Sequence, residues 1–217
     1  MVAGMPDLIA PSARLHSAWL EAHAEWGPGV HEDGFGLLSS DEVDSPAGFA
    51  AWVARLADAS DQVNPVAADQ VRCTYRWIVE GKQVLGGIAL RHTGNDAVRW
   101  AGHIGYGIRP SARRRGLATW ALGRILDEAR VLGMDRLLIV CAADNVASSK
   151  TTERLGGVLE NLRDTADGAA RRYWIELGAP STQESSSQPQ HSREPGRALI
   201  IAVDRRDVVV AARQHRP

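Results

Sequence analysis

The stretch Gly105-Tyr106-Gly107-Ile108-Arg109-Pro110-Ser111-Ala112-Arg113-Arg114-Arg115-Gly116-Leu117-Ala118 marks a change of pattern in the chain. Before it, residues 98–108 read as one extended run, which Pro110 closes because proline lacks the ladder N–H and restricts the residue before it. After it, Leu117, Ala121, Leu122, Ile125, Ala129 and Leu132 recur at helical spacing, with Gly133 placed to end the helix. Residues 113–118 therefore stand at a helix N-terminus, where the first N–H groups lack intrahelical partners and the positive end of the dipole points outward. A pyrophosphate fits such a terminus. Gly116 and the small Ala118 let the backbone approach phosphate oxygens, and neighbouring arginines add charge-assisted contacts. Neither the three spaced glycines of a dinucleotide fold nor the Gly-Lys-Ser/Thr ending of a P-loop is present. By itself the arginine run reads equally as a solvated basic turn, so its surroundings have to decide.

Downstream, residues 137–141 form a short continuous apolar run of strand length, and a strand, helix, strand succession implies a crossover between neighbouring, parallel strands. Asp144 or Asn145 can cap a short helix that stops at Gly156-Gly157, and residues 158–162 and 170–177 read as two more strands around a polar turn at 164–168. Upstream, residues 75–79 and 84–90 suggest a hairpin about Glu80-Gly81-Lys82, with a second turn at 93–96. Two helices are expected before that, one over 13–26 and one opened by Pro46. The glycine-rich loop of 27–44 between them holds His31, Glu32 and Asp33 and is placed to wall a binding site. Past Leu177 the composition turns to Ser, Gln and Pro. Residues 179–217 are thus expected to be a linker and an apolar tail that docks as a hairpin or stays mobile, outside a domain of 1–178.

Composition narrows the function. The 25 Lys and Arg against 26 Asp and Glu leave no general electrostatic footprint for nucleic acid or an anionic membrane. Cys73 and Cys141, each in an apolar run, make neither a disulfide framework nor a metal site. No basic segment with an apolar h-region opens the sequence, and nowhere do eighteen apolar residues run together, so a cytoplasmic location is expected.

The order of these features resembles the GCN5-related N-acetyltransferase (GNAT) family. Arg113-x-x-Gly116-x-Ala118 matches the family's Gln/Arg-x-x-Gly-x-Gly/Ala motif for the pyrophosphate of coenzyme A, and an extended run precedes it. A buried strand and Asn145-x-x-Ser148 follow, and Gly156 comes eleven residues after Asn145. His103-Ile104-Gly105-Tyr106-Gly107-Ile108-Arg109-Pro110-Ser111, Asp144-Asn145-Val146-Ala147-Ser148 and Arg171-Arg172-Tyr173-Trp174-Ile175 are further similar to one little-characterised bacterial branch. The likeness spans about residues 8–177 and is strongest from Gly102 onward.

The resemblance implies an α/β fold with a mixed, mostly antiparallel sheet whose central parallel strands splay apart, flanked by helices. It implies acetyl-CoA as acyl donor, held by the backbone of Tyr106, Gly107 and Ile108, by Arg113, Arg114, Arg115, Gly116, Leu117 and Ala118, and by Asn145 and Ser148. The implied reaction is direct attack by the primary amine of a small molecule in a ternary complex. A protein lysine or N-terminal acetyltransferase and a non-catalytic acyl-CoA-binding module are the alternatives, and a homodimer is possible. Many family members place a tyrosine seven residues after the helix-opening Asn to protonate the departing thiolate, whereas this chain has Thr152 there, so water, Tyr75 or Tyr106 is needed instead. His103 is the candidate base by its titration range. The family's bases in this strand correspond to Gly102 and Ile104, however, and alternation along a strand turns His103 to the other face, which predicts a structural role for it. His31, Glu32, Asp33 and Tyr75 are the candidate acceptor contacts.

Overall fold

The computed structural model describes residues 4–27, 34–61, 72–92, 96–165 and 168–178. The candidate acceptor residues His31, Glu32 and Asp33, and the tail 179–217, lie outside the described residues. Among the described residues, seven strands form two antiparallel sheets. The first has the order β1 (Asp7–Ile9), β2 (Cys73–Glu80), β3 (Gln83–Arg91), β4 (Ile104–Ile108). The second has β5 (Arg136–Ala142), then β7 (Gly168–Glu176), then the edge strand β6 (Val158–Thr165).

Alternation along the strands supplies the first sheet with two apolar faces. Trp77 and Val79 of β2 enter a cluster with Trp19 of α1 (His16–Trp26), Phe49, Trp52 and Leu56 of α2 (Pro46–Ser60), and Phe35 of the loop between them. The rings meet at tilted and edge-on angles, with Trp19 4.9 Å from Trp52 and Trp52 5.7 Å from Trp77, the favoured geometry for aromatic pairs. Ser45 accepts a bond from the Gly48 N–H and Pro46 opens the helix, which fixes where α2 begins. On the opposite face, Ile78, Ile88, Leu90 and Ile104 pack on Leu122, Ile125 and Ala129 of α4 (Leu117–Val131). That cluster continues through Leu137, Ile139 and Ile175, so one core spans both sheets beneath one helix.

Two expectations need correction. Residues 98–108 are not one strand: Asp96–Ala101 is a short helix, α3, closed by a bond from the Gly102 N–H to the Val98 carbonyl, and only Ile104–Ile108 is extended. Val98 and Trp100 mimic a period of two, but Val98 is buried while Trp100 is 51% exposed, whereas a strand would put both on one face. Gly102, at φ 78, makes the turn into β4, and a Cβ there would meet the backbone of Leu138 and Val140.

The second correction concerns the crossover through α4, which does not join paired neighbours. β4 and β5 belong to different sheets and are tied just ahead of β4, where a Gly102–Ile139 bridge and a 2.7 Å bond from the His103 N–H to the Leu138 carbonyl reach the middle of β5. Further along, Tyr106 reaches Ser148 just beyond the end of β5, so the two strands run in the same sense and part. Among the described residues, no helix is long and apolar enough to cross a membrane.

Candidate active site

The parting of β4 and β5 leaves one edge of β4 without a strand partner. Bonds from the Arg91 N–H to His103 O and from the Arg109 N–H to Leu85 O, both 2.8 Å, set the hydrogen-bonding phase with β3. The alternation of an antiparallel ladder then turns the polar groups of Gly105 and Gly107 toward β3, and those of Tyr106 and Ile108 toward the gap. Gly107 thus spends its backbone groups inside the sheet, whereas those of Tyr106 and Ile108 face the gap. The Ile108 carbonyl already accepts a 3.0 Å bond from Arg113 Nε, which leaves its N–H.

At the far end of β4 the chain turns into α4. Gly116 is the N-cap at φ 79, in the left-handed region, and nothing lies within 4 Å of where its Cβ would be. The N-terminus of α4 has no side-chain cap, and an uncapped helix start suits a phosphate. Arg114 is also left-handed, at φ 63, and is exposed. Arg115 is held 2.7 Å from Glu80 at the β2–β3 turn, so the three arginines are individually oriented rather than a loose basic run. Leu117 turns into the core and contributes no polar side chain.

The loop is anchored from below by a contact that sequence reading missed. Arg109, 5% exposed, is bound by Glu25 in the last turn of α1, by Glu21, and by the Val84 carbonyl. Glu25 also accepts from the Ser111 N–H at 3.0 Å and the Ser111 hydroxyl at 2.9 Å. The hydrogen bonds from Arg109, supported by those from Ser111, hold the Glu25 carboxyl at a pKa of about 2. No local pattern marks a pair 84 residues apart.

The other wall of the gap is α5 (Val146–Arg154). Asn145 caps it, its side chain accepting from the Ser148 N–H at 3.0 Å, which leaves the amide NH2 for a ligand. The Ser148 and Tyr106 hydroxyls share a 2.8 Å hydrogen bond across the gap. Thr152 is fully buried, and its hydroxyl is donated to the Ser148 carbonyl at 3.0 Å. That position is therefore part of the packing and presents no group to the gap.

His103 is 7% exposed, and its Nδ1 accepts from the Leu138 N–H at 2.8 Å. The ring thus supplies a second tie between the sheets, and its proton sits on Nε2, leaving no unoccupied lone pair. Burial pushes its pKa down, and the charge of Arg91 adds to this, while the Leu138 contact opposes it. The ring borders a cavity of about 390 Å³ with His92, Met134, Asp135, Arg136 and Trp174. This cavity is at the C-terminal end of the 15-residue α4, about 22 Å along the helix from Gly116. Tyr75 lies on the α2 side of β2 under Gly36, where any Cβ would overlap its ring. Burial, then the neighbouring Cys73, raises its pKa, so its hydroxyl keeps its proton.

A family model described as an acetyltransferase (GNAT) domain matches residues 16–158. No curated protein matches the chain. Among solved structures, a microcin C7 self-immunity acetyltransferase, MccE, in complex with acetyl-CoA and AMP is 15% identical. The alignment covers 81% of this chain and 97% of that one, with a TM-score of 0.57. RimL, a ribosomal L7/L12 alpha-N-protein acetyltransferase in complex with coenzyme A, is 17% identical over 83% and 98% of the two chains, with a TM-score of 0.61. RimJ of Mycobacterium smegmatis, in complex with a CoA-disulfide, is 17% identical over 80% and 82%, with a TM-score of 0.59. At these identities the structures show a shared fold, and the family model covers most of the chain. The chain belongs to the GNAT acetyltransferase family and is an acyltransferase with acetyl-CoA as its donor.

Proposed function

We propose that the protein acetylates the primary amine of a small molecule by direct attack on acetyl-CoA in a ternary complex. The observation that carries this reading is the alignment of three features along one gap. These are an uncapped helix N-terminus at Gly116, the gap-facing backbone of Tyr106 and Ile108, and the Tyr106–Ser148 hydroxyl pair. A pyrophosphate at the first and a strand-like pantetheine arm along the second bring the thioester to the third. Arg113, Arg114, Arg115 and Ala118 line the first, and Asn145 stands beside the arm.

An alkylammonium with a pKa near 10.4 is only about one part in a thousand neutral at pH 7, so its proton must leave before attack. His103 spends its lone pair on Leu138, and the proton passes to water instead. As the thioester collapses, the departing sulfur takes a proton from the Tyr106–Ser148 pair, the role that Thr152 is tied away from. The packing of Gly34 against the carbonyls of Gly87 and Gly105 covers part of β4 and supports a compact acceptor over a peptide.

The test is acetyl-CoA consumption across panels of small amines and N-terminal peptides, with and without Tyr106→Phe. Turnover of a small amine, reduced tenfold or more by Tyr106→Phe with acetyl-CoA binding retained, is expected. Turnover of peptides alone moves the protein to the protein-acetylating class. Binding of acetyl-CoA with no acceptor in either panel makes it a non-catalytic module.

A further inference from the structure

We propose that Arg91 reads the acceptor, and that the acceptor is an amine carrying a nearby carboxylate, as in an amino acid. The inference rests on the proposed acetylation of small amines and adds the chemical class. Arg91 is the last residue of β3, and its side chain crosses β4 on the α1/α2 side, where Nη1 donates to the Gly102 carbonyl at 3.1 Å. A Cβ on Gly105 would stand 3.9 Å from both Nη1 and Nη2. The Gly34 N stands 3.6 Å from the same point, so the guanidinium and the Gly34 backbone lie side by side over the residue next to Tyr106, where β4 has no side chain of its own. The opposite side of β4 is filled by α4 and the core, so this is the side from which an acceptor can reach the gap.

Among the described residues, no carboxylate answers the charge of this guanidinium. Arg55, Arg76, Arg109 and Arg115, which pack around the same sheet, have Asp41, Glu128, Glu25 and Glu80 as ion-pair partners. Arg91 has no carboxylate partner among the described residues, and its neighbours are Tyr75, Cys73 and His103, whose titration its charge influences. It is half-buried, and one of its five N–H donors is used on Gly102. A simple alkylammonium entering here meets a like charge. A carboxylate beside the amine instead accepts the spare donors as a planar, two-pronged pair. With the carboxylate so held, the amine points past Gly105 toward the gap, and the fixed positive charge lowers its pKa.

The experiment compares matched acceptors, each common amino acid against its amide, by kcat/KM at saturating acetyl-CoA for the wild type, Arg91→Gln and Arg91→Lys. The expected wild-type preference for the carboxylate member of the best pair is about thirtyfold, the scale of a charged bidentate contact. In Arg91→Gln the ratio falls to near one through loss on the carboxylate arm, with the acetyl-CoA KM unchanged. Arg91→Lys keeps the charge without the fork and retains part of the preference, and it serves the same purpose if Arg91→Gln does not fold. A wild type that favours the amides, or a preference that survives both substitutions, overturns the inference. If acetyl-CoA binds and nothing is acetylated, the proposed function fails separately. Calorimetric titration of the amino acids into the acetyl-CoA complex then still decides, and absence of binding overturns the role of Arg91.

Discussion

Replacing Glu25 by alanine should destabilise the protein by about 2–3 kcal/mol and loosen the turn that leads from β4 into α4. Glu25 holds Arg109 and both polar groups of Ser111, and its carboxyl is drawn from 4.5 to about 2. Taken at face value that displacement is worth about 3 kcal/mol. The Glu25 side chain is 27% exposed, however, so screening reduces it to about 1–2 kcal/mol. The remainder comes from Arg109, whose side chain is 6% exposed and keeps only the 61% exposed Glu21 and the Val84 carbonyl. For a domain of this size the loss corresponds to a fall in Tm of roughly 4–10 °C.

Urea denaturation at pH 7 measures it, with Glu21→Ala, expected within about 0.5 kcal/mol of wild type, as the control. Because the folded pKa is depressed, the stabilisation is complete above the unfolded value of 4.5 and is lost as the pH falls toward about 2. The gap between wild type and Glu25→Gln should therefore be flat near neutrality and close across that acid window. Equal costs for Glu25→Ala and Glu21→Ala, or a gap independent of pH down to 2, would refute the reasoning.

His103→Gln should lower stability while reducing the chemical rate at saturating acetyl-CoA by well under the roughly hundredfold expected for a lost general base. Its depressed pKa means the neutral ring stabilises fully above 6.5 and progressively less below it, so the variant should also flatten stability against pH there. A folded variant that binds acetyl-CoA but loses a hundredfold in turnover and the ascending limb of the pH profile would instead make His103 the base. Gly116→Val should cost about 1–2 kcal/mol, because a β-branched residue is forced to φ 79, and should abolish acetyl-CoA binding. Calorimetry showing normal affinity in that folded variant would remove the phosphate site from the helix terminus.

Local chemistry carried much of the fold in the sequence. The spacing of Leu117, Ala121, Leu122, Ile125 and Ala129, the Pro46 helix start and the Glu80-Gly81-Lys82 turn are all satisfied within a few residues, so they can be read without knowing what they pack against. The same holds for the cap at Asn145, whose acceptor bond runs to Ser148 three residues on. Val98 and Trp100 misled because a helix of six residues is too short to display its period.

Tertiary structure decided what depends on distant pairs. The phase that turns Tyr106 and Ile108 to the gap, and Gly107 away from it, is set by β3, because which edge of a strand is free depends on the neighbour it has chosen. The burial of Thr152, the tie from His103 to Leu138, and the anchoring of Arg109 by Glu25 link residues that no periodicity connects. The letters from Arg113 to Ala118 placed a glycine-capped helix start after a strand, as the structure has it. Only the assembled sheets show which backbone groups face the gap beside it, and that the Arg91 guanidinium lies next to Gly105 with no carboxylate partner among the described residues.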